Sequence, residues 1–338
     1  MSRLQNYRES VLQLGYDATK AIILTTAFEL DLFERIGKNT KTALTLAEEL
    51  KANPASLELF LNACVSIGLL EVDGSGFQNT KHGLKIFLKG KPLYAGDYVR
   101  LQAKSIRDWL SLKTAVLSGK PMDQPDFFKV ENSEATAGFA HAMHNTAMGH
   151  AEFLAKRISL KPAKTLLDLG GGPGTFTVHF LKANPEIRAT IFDLPTTLET
   201  TKKLIGASRD VSLQNRVQYQ AGDFNRDEIQ GTFDVCFLSH IIHGQAEEGN
   251  KKLFRKVYEH LHPGGRFIVQ DFFLNRDRTS PQFAAVFALN MLIHTEDGRT
   301  YTFDEVEGWM KEAGFLKCSR LNLKLPRSIS LLIGEKQD

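Results

Sequence analysis

The stretch TLLDLGGGPGTFT, residues 165–177, contains a short apolar run, a glycine cluster and the start of a helical pattern. The apolar run predicts a buried strand, and a helix is expected from Thr175 to Ala183. The glycines between them permit positive φ and lack the Cβ atoms that would keep a ligand away from the backbone. Free N–H groups at the start of the helix would face that ligand. This unit predicts a nucleotide-like ligand bound over the turn.

The glycine spacing separates two classes of nucleotide cofactor. A dinucleotide fingerprint needs a third small residue, but counting from Gly170 leads through Gly172 to Thr175. Two acids are present instead: Asp168 suits a ligand with an ammonium group, and Asp193, which ends the next apolar run, can accept hydrogen bonds from a ribose. S-adenosylmethionine (SAM) has both an amino-acid tail and a ribose, whereas NAD has only the ribose. The pattern therefore favours SAM, with NAD as the competing cofactor.

Further motifs follow in order along the chain. They are DLGGGPG at 168–174, FDLP at 192–195, AGDF at 221–224, IIHG at 241–244, HPGGRFIVQD at 262–271 and DGRTYT at 297–302. Together they resemble the SAM-dependent O-methyltransferases with an N-terminal dimerisation domain, the relatives of caffeic-acid and hydroxyindole O-methyltransferases and of bacterial small-molecule enzymes. The resemblance covers nearly the whole chain. It implies methyl transfer to a hydroxyl of a small, aromatic secondary metabolite, with carbon or nitrogen acceptors as alternatives.

The resemblance also implies roles for single residues. A phenol has a pKa of about 10, so a base beside the hydroxyl increases the reactive fraction at neutral pH. His243 stands at the family's general-base position, and Asp271 matches the carboxylate that orients it. The residues implied in cofactor binding are Asp168, Gly170, Gly172, Asp193, Leu194, Asp223, Phe224 and Ser239. Those implied in the substrate pocket are Phe139, Met143, Asn290, Met291 and His294.

Several positions depart from the plant members of the family. Thr300 stands where those enzymes have a glutamate, and Ser239 replaces a lysine that can contact the cofactor. Gly244 and Gln245 replace Asp-Trp after the histidine. These changes leave base catalysis possible, but they do not favour a second orienting carboxylate or a phenylpropanoid acceptor.

Residues 161–338 are predicted to form the SAM-binding catalytic domain. Predicted strands lie at 166–169, 189–192, 217–220, 233–238 and 266–270, with an antiparallel pair at 317–323 and 329–333. Their alternation with helices predicts an α/β fold with a mostly parallel sheet and helices on both faces. The resemblance implies a Rossmann-like class I methyltransferase domain. Its ligands should bind at the carboxyl ends of the strands.

Residues 1–95 are predicted to form a winged-helix-like dimerisation domain, and residues 96–160 a helical linker that caps the substrate pocket. Two helices followed by a short hairpin are expected across residues 42–88. This order is typical of a winged helix, a fold often used to bind DNA. However, residues 55–67 have no Lys or Arg and contain Glu58, whereas a DNA-reading helix needs donors to phosphates and base edges. A packing role is favoured, and a ligand-sensing DNA-binding regulator is the alternative of another class.

Residues 7–36 have apolar residues at helical spacing, and their apolar surface is larger than packing against one neighbouring layer would require. The resemblance implies a homodimer that interleaves here, and the alternative is an intrachain core. Three histidines, His141, His144 and His150, lie close in sequence, but no carboxylate pair or cysteine completes a ligand set, so no metal is expected.

Composition excludes several classes of protein. The net charge of +3 is small for 338 residues, which does not favour a nucleic-acid or membrane partner. No apolar run approaches the roughly 20 residues needed to cross a bilayer, and the polar start MSRLQNYRES has no secretory apolar region. The three cysteines lie far apart, which is typical of a reducing compartment. A cytoplasmic location is expected.

Overall fold

The computed structural model describes residues 2–121, 133–207 and 210–337. The chain divides into two compact units, Met1–Arg107 and Asp108–Asp338. The boundary between them falls inside the helix Gly96–Trp109, within the segment predicted as a linker. Among the described residues, no helix is both long enough and apolar enough to cross a membrane.

The first unit is mainly helical with one small hairpin. Its elements are α1 (Arg3–Glu29), α2 (Leu32–Ile36), α3 (Ala43–Leu50), α4 (Pro54–Ser66), β1 (Leu70–Asp73), β2 (Gly76–Asn79), α5 (Gly83–Ile86) and α6 (Gly96–Trp109). The side chains of Thr42 and Asn53 cap the N-termini of α3 and α4 by accepting backbone hydrogen bonds. The core contains a cluster of phenylalanine rings, with Phe28 and Phe87 both in contact with Phe33.

Helix α1 differs from the others because much of its apolar surface is uncovered. Residues 2–19 are all exposed. Leu4, Tyr7, Val11 and Leu14 follow one another at spacings of three or four residues and are 76%, 68%, 48% and 71% exposed. This spacing places them on one face of the helix. The helix therefore has an apolar stripe that the described chain does not cover.

The second unit contains a seven-stranded sheet with helices on both faces. Its strands are β3 (Thr165–Leu169), β4 (Arg188–Asp193), β5 (Val217–Ala221), β6 (Phe233–Ser239), β7 (Leu261–Asp271), β8 (Lys317–Leu321) and β9 (Ser330–Glu335). Its helices are α7 (Leu112–Ser118), α8 (Ser133–Met148), α9 (Ala151–Arg157), α10 (Thr175–Ala183), α11 (Pro195–Ala207), α12 (Val211–Gln214), α13 (Glu247–Glu259), α14 (Gln282–His294) and α15 (Phe303–Glu312).

The strand order is β5-β4-β3-β6-β7-β9-β8, and β9 runs antiparallel to both of its neighbours. The mostly parallel sheet and the antiparallel terminal pair predicted from the sequence are confirmed. Side chains alternate between two apolar cores: Leu166 of β3 belongs to one, and Leu167 and Leu169 belong to the other.

The order of the strands also fixes where a ligand can bind. From β3 the chain moves outward to β4 and β5, then returns to β6 on the other side of β3. The connections that leave the carboxyl ends of β3 and β6 therefore diverge and leave a crevice between them. The turn at 170–174 follows β3 at this edge, and a short 3-10 helix, Ile242–Gly244, follows β6.

Candidate active site

The glycine turn after β3 has the left-handed backbone that its sequence predicts. Gly170, Gly172 and Gly174 have φ values of 66°, 53° and 70°, a region that favours glycine. A Cβ atom on Gly170 would lie 2.7 Å from Cδ1 of Ile241, whereas one on Gly172 would meet nothing within 4 Å. The turn therefore packs tightly against the segment after β6 and leaves space beside the Cα of Gly172.

Asp193 ends β4 and holds the glycine turn. Its Oδ2 accepts a hydrogen bond from the N–H of Gly172 at 2.8 Å, and Oδ1 accepts one from the N–H of Leu194 at 2.7 Å. Burial raises the pKa of Asp193 above its ordinary value, although both backbone donors favour the ionised form. Each carboxylate oxygen has a second lone pair, so Asp193 can also accept hydrogen bonds from a ribose diol.

Asp168 lies at the end of β3 and packs against the turn. It is 2% exposed, and its Oδ2 accepts a hydrogen bond from Oγ1 of Thr177 at 2.5 Å. Burial, and then the negative charge of Asp193, raise the pKa of Asp168 to about 7 despite that hydrogen bond. Because an ammonium group would favour its ionised form, this carboxyl is suited to the amino-acid tail of SAM.

The turn therefore fits SAM better than NAD. Two buried carboxylates adjoin it, and the DLGGGPG motif contains no Lys or Arg. A pyrophosphate placed here would be repelled by both acids, whereas the ammonium and sulfonium groups of SAM would be attracted.

The remaining predicted cofactor residues follow β5 and β6. Phe224 adjoins the turn, since a Cβ atom on Gly170 would lie 3.4 Å from its ring. Asp223 accepts the N–H of Asn225 at 2.9 Å within its own turn. Ser239 Oγ accepts a hydrogen bond from the side chain of Gln270 at 2.9 Å. The structure thus brings Phe224 to the glycine turn, while Asp223 and Ser239 contact other partners.

His243 and Asp271 form a hydrogen-bonded pair beyond the ends of β6 and β7. Nδ1 of the imidazole lies 2.7 Å from Oδ1 of the carboxylate, and the two side chains are 13% and 2% exposed. Burial alone would raise the pKa of Asp271, but the charge and hydrogen bond of His243 hold it below its ordinary value. An ionised carboxylate can only accept, so the imidazole proton lies on Nδ1 and Nε2 is the basic atom.

Two side chains fix the segment that carries His243. Nδ2 of the buried Asn250 donates to the Ile242 carbonyl at 2.9 Å. The hydroxyl of Tyr301 donates to the Gln245 carbonyl at 2.5 Å. The short 3-10 helix is therefore anchored on both sides of the histidine, which limits the orientations of its ring.

An aromatic wall, defined by Phe272, Phe283 and Phe287, lies against His243. The ring centroid of His243 is 4.9 Å from that of Phe287, in an edge-on arrangement, and 5.9 Å from that of Phe272. Phe272 in turn lies 4.8 Å from each of the other two rings. The sequence analysis did not identify these residues, although Phe272 directly follows Asp271 and the other two are four residues apart on α14.

Phe139 and Met143, predicted in the substrate pocket, are both partly buried on α8. This helix packs against α10 and α11, which follow the two strands that carry the cofactor acids. The same side of the molecule also holds two of the clustered histidines: His144 Nδ1 lies 2.7 Å from Thr175 Oγ1, and His150 lies against the ring of Phe176.

The other predicted pocket residues lie on α14, which packs against the segment of His243. Met291 is buried, and Asn290 is partly buried. His294 Nδ1 lies 2.9 Å from the Asn290 carbonyl oxygen, and Nε2 lies 3.1 Å from Oδ2 of Asp108. Both nitrogens of this ring are therefore occupied, and it is not available as a base.

Thr300, at the position of the plant glutamate, is 3% exposed and donates to the Ala284 carbonyl at 3.2 Å. Within the described ranges, one group of metal-type ligands comes together: single ligand atoms of His240, His243 and Asp271 lie within 4.8 Å of one another. The 2.7 Å contact between Nδ1 of His243 and Oδ1 of Asp271 uses two of these side chains for a hydrogen bond instead.

Comparisons with known proteins agree with this geometry. An O-methyltransferase domain model matches residues 116–316, and an O-methyltransferase dimerisation domain model matches residues 12–87. The chain is 31% identical to the tetracenomycin polyketide synthesis 8-O-methyl transferase TcmO of Streptomyces glaucescens, covering 96% of this chain and 95% of that protein. It is 28% identical to 3-hydroxy-5-methyl-1-naphthoate 3-O-methyltransferase of Streptomyces sahachiroi, covering 94% and 92%.

Among solved structures, the chain is similar to human N-acetylserotonin methyltransferase in complex with SAM. The TM-score is 0.87 and the sequence identity 22%, with 100% of both chains covered. At this level of identity the similarity concerns the fold.

Proposed function

Because the chain belongs to the O-methyltransferase family with an N-terminal dimerisation domain, we propose that it transfers a methyl group from SAM to a hydroxyl of a small aromatic metabolite. His243 acts as the general base. The observation that carries this proposal is the His243–Asp271 pair, which stands beside an aromatic wall and one short segment away from the glycine turn.

SAM is the methyl donor. When bound, it supplies an electrophilic methyl group on a good leaving group, so the protein must chiefly align the acceptor and remove its proton. Gly172 would leave space for the cofactor beside its Cα, Asp193 would accept hydrogen bonds from the ribose, and Asp168 would pair with the ammonium group. Ile241 packs directly on Gly170 and lies two residues before His243, which couples the position of the base to that of the turn.

Proton removal is assigned to Nε2 of His243. Asp271 accepts a hydrogen bond from Nδ1–H, so it fixes the tautomer that leaves Nε2 basic and stabilises the imidazolium that forms. The acceptor proton moves to Nε2, which leaves the hydroxyl oxygen with the electron pair that would form the O–C bond as the C–S bond of SAM breaks. The aromatic wall supplies flat apolar surface for a ring that carries the hydroxyl.

An aromatic acceptor also agrees with the name of the relative that methylates a hydroxynaphthoate, and O-methylation agrees with the names of both bacterial relatives. A carbon or nitrogen acceptor would need no strong base in the same position. The site of methylation therefore tests the role of His243 together with the reaction class.

The test is incubation of the purified protein with methyl-labelled SAM and a panel of phenols, naphthols and polycyclic hydroxyaromatics. Mass spectrometry detects the labelled product, and NMR locates the methyl group. We expect an aryl methyl ether. Label on carbon or nitrogen would contradict O-methylation, and the lack of any labelled product despite SAM binding would contradict the whole assignment.

We also propose a homodimer, a cytoplasmic location and no nucleic-acid partner. The dimer is supported by the family model over residues 12–87 and by the uncovered apolar stripe of α1. The location is supported by three free cysteines, two of them buried.

A further inference from the structure

We infer that His240 is a positioning residue for the base: it holds the second oxygen of Asp271 through one water molecule, so that the first oxygen stays directed at His243. This inference rests on the proposed role of His243 and adds a third side chain to the pair. It concerns a residue that the family resemblance leaves without a role.

The two oxygens of Asp271 have different surroundings. Oδ1 accepts two hydrogen bonds at 2.7 Å, one from Nδ1 of His243 and one from the N–H of Phe272. Oδ2 is buried and has no partner among the described residues. Buried carboxylate oxygens are nearly always hydrogen-bonded, so Oδ2 requires a donor that stands beside it.

His240 is held in a fixed orientation at the end of β6. It has a φ of 57°, which is rare for a residue other than glycine. Its ring lies 4.6 Å from that of Phe272, and its Nε2 lies 3.2 Å from Nε2 of Gln270. Such a backbone costs free energy and persists where the surrounding structure requires it.

The contact with Gln270 determines the tautomer of His240. The Gln270 amide nitrogen can only donate, and it also donates to Oγ of Ser239. With the Gln270 amide nitrogen directed at it, Nε2 of His240 accepts, and the proton of the ring then lies on Nδ1. This Nδ1 is buried and lacks a hydrogen-bond partner among the described residues. An unpartnered donor on His240 thus complements an unpartnered acceptor on Asp271.

The two side chains lie close enough together for one bridging water. A ring nitrogen of His240 and an oxygen of Asp271 lie within 4.8 Å of each other. Two hydrogen bonds of about 2.8 Å that meet at a tetrahedral angle span about 4.6 Å. A water in that position would accept a hydrogen bond from Nδ1–H of His240 and donate one to Oδ2 of Asp271, a usual role for buried water.

The charge state of His240 agrees with this role. Burial lowers the pKa of His240 to about 3, and the charges of His243, His150 and Arg327 lower it further. The negative charge of Asp271 acts in the opposite direction and is outweighed. The ring therefore stays neutral at working pH. It can donate to Asp271 without bringing a second positive charge that would compete with the imidazolium of His243.

The test compares His240→Asn with His240→Phe. The Asn amide places a donor where Nδ1 stands and tolerates positive φ, whereas Phe fills the volume without a donor. We expect His240→Asn to keep kcat within about threefold and His240→Phe to lower it roughly 10- to 100-fold, with SAM affinity unchanged. In His240→Phe the pKa of Asp271 should rise, because Asp271 loses a donor to its ionised form, and NMR of the carboxyl carbon across pH measures this shift.

Both variants are then combined with His243→Ala. If His240 acts through the pair, His240→Phe should cause no further loss in that background. The inference would be overturned if His240→Phe lowered kcat by the same factor with and without His243. It would also be overturned if His240→Asn and His240→Phe lowered kcat equally, or if His240→Phe kept the wild-type rate. A near-wild-type rate for His243→Ala alone would instead contradict the general base itself. If His240→Phe does not fold, Gln270→Leu tests the same arrangement, and the same rise in the pKa of Asp271 is expected.

Discussion

At the scale of single residues, the cofactor site depends on two acids that are costly to keep ionised. Burial raises the pKa of both Asp168 and Asp193. A protein that only needed a tight turn could use neutral residues at these positions. Two buried carboxyls beside an open glycine turn are suited to a ligand with positive charge, because the ligand supplies the counter-charge that the DLGGGPG motif does not contain.

SAM binding should therefore depend on pH through Asp168. Its pKa of about 7 means that it is largely protonated below that pH and must lose the proton to pair with an ammonium group. The dissociation constant for SAM should rise as pH falls from 7 to 5, approaching tenfold per pH unit, while the ligand's own amine stays protonated. Calorimetry across this range checks the slope, and Asp168→Asn should remove it. If the dissociation constant keeps the same pH dependence in Asp168→Asn, a group other than Asp168 is responsible for it.

The proposed contact between Asp193 and the ribose predicts that removing this carboxylate weakens SAM binding. Asp193→Ala should weaken SAM binding by about 1.5–3 kcal/mol, because hydrogen bonds to a charged acceptor are lost. Calorimetry at pH 7.5 measures this difference, and Asp304→Ala serves as a control because Asp304 pairs with Arg276 and Arg320 away from the turn. Unchanged affinity in Asp193→Ala would remove this residue from the site.

At the scale of elements, the sequence predicted the strands and the turn closely. Helix α10 begins and ends where the pattern placed it, at Thr175 and Ala183. Strand β7 begins earlier than the predicted 266, at Leu261, because its pairing with β6 shifts register between Phe233 and Val235. Strand irregularities of this kind depend on the partner strand and leave no periodic signal in one sequence.

The site was predicted less completely, for a physical reason. Motifs at strand ends identified the glycine turn and the His243–Asp271 pair, because the ends of parallel strands meet at one edge. The aromatic wall and His240 depend on how α14 and the ends of β6 and β7 pack in three dimensions. Phenylalanine and histidine also occur in ordinary protein cores, so composition alone does not separate a core role from a role in the site.

The connection from α14 to α15 packs against the segment of His243 at Gly298. A Cβ atom there would lie 2.5 Å from the carbonyl oxygen of His243 and 2.4 Å from Oγ1 of Thr295. Gly298→Ala should displace His243, lower kcat about tenfold or more and cost about 1–3 kcal/mol of unfolding free energy. Steady-state kinetics and urea denaturation measure both effects.

Gly308→Ala is the matched control for this prediction. Gly308 lies in α15, and a Cβ atom there would meet nothing within 4 Å. Alanine at this position should leave the rate unchanged and stabilise the protein slightly, because it favours helix over the unfolded chain. Equal rates for the two variants would show that the contact at Gly298 does not position the base.

At the scale of the whole molecule, the main unpaired surface feature of the first unit is the apolar stripe of α1, whose residues are exposed. Exposed apolar patches of this size are typical of protein interfaces. The sequence analysis detected the excess of apolar residues but could not separate an intrachain core from a dimer, because the two uses bury the same residue types. The exposure of Leu4, Tyr7, Val11 and Leu14 favours the dimer.

Leu14→Glu should therefore weaken the dimer, since it places a charge in the proposed interface. Light scattering at micromolar concentration should give a dimer for the unmodified protein and a monomer for the variant. Leu316→Glu is the control, because Leu316 is 60% exposed in the second unit. A monomeric unmodified protein, or a dimer that persists in Leu14→Glu, would contradict the proposed assembly.

The central claim is that His243 removes the acceptor proton, and the most direct measurement is the rate–pH profile of His243→Ala with the acceptor identified by the methyl-transfer assay. The rate at neutral pH should fall roughly 10²- to 10⁴-fold, while SAM affinity stays near that of the unmodified protein because Nε2 faces the acceptor. The lost activity should return as pH approaches the acceptor's pKa, where the hydroxyl ionises without help. Rates near those of the unmodified protein on both an acidic and a weakly acidic acceptor at neutral pH would contradict the claim.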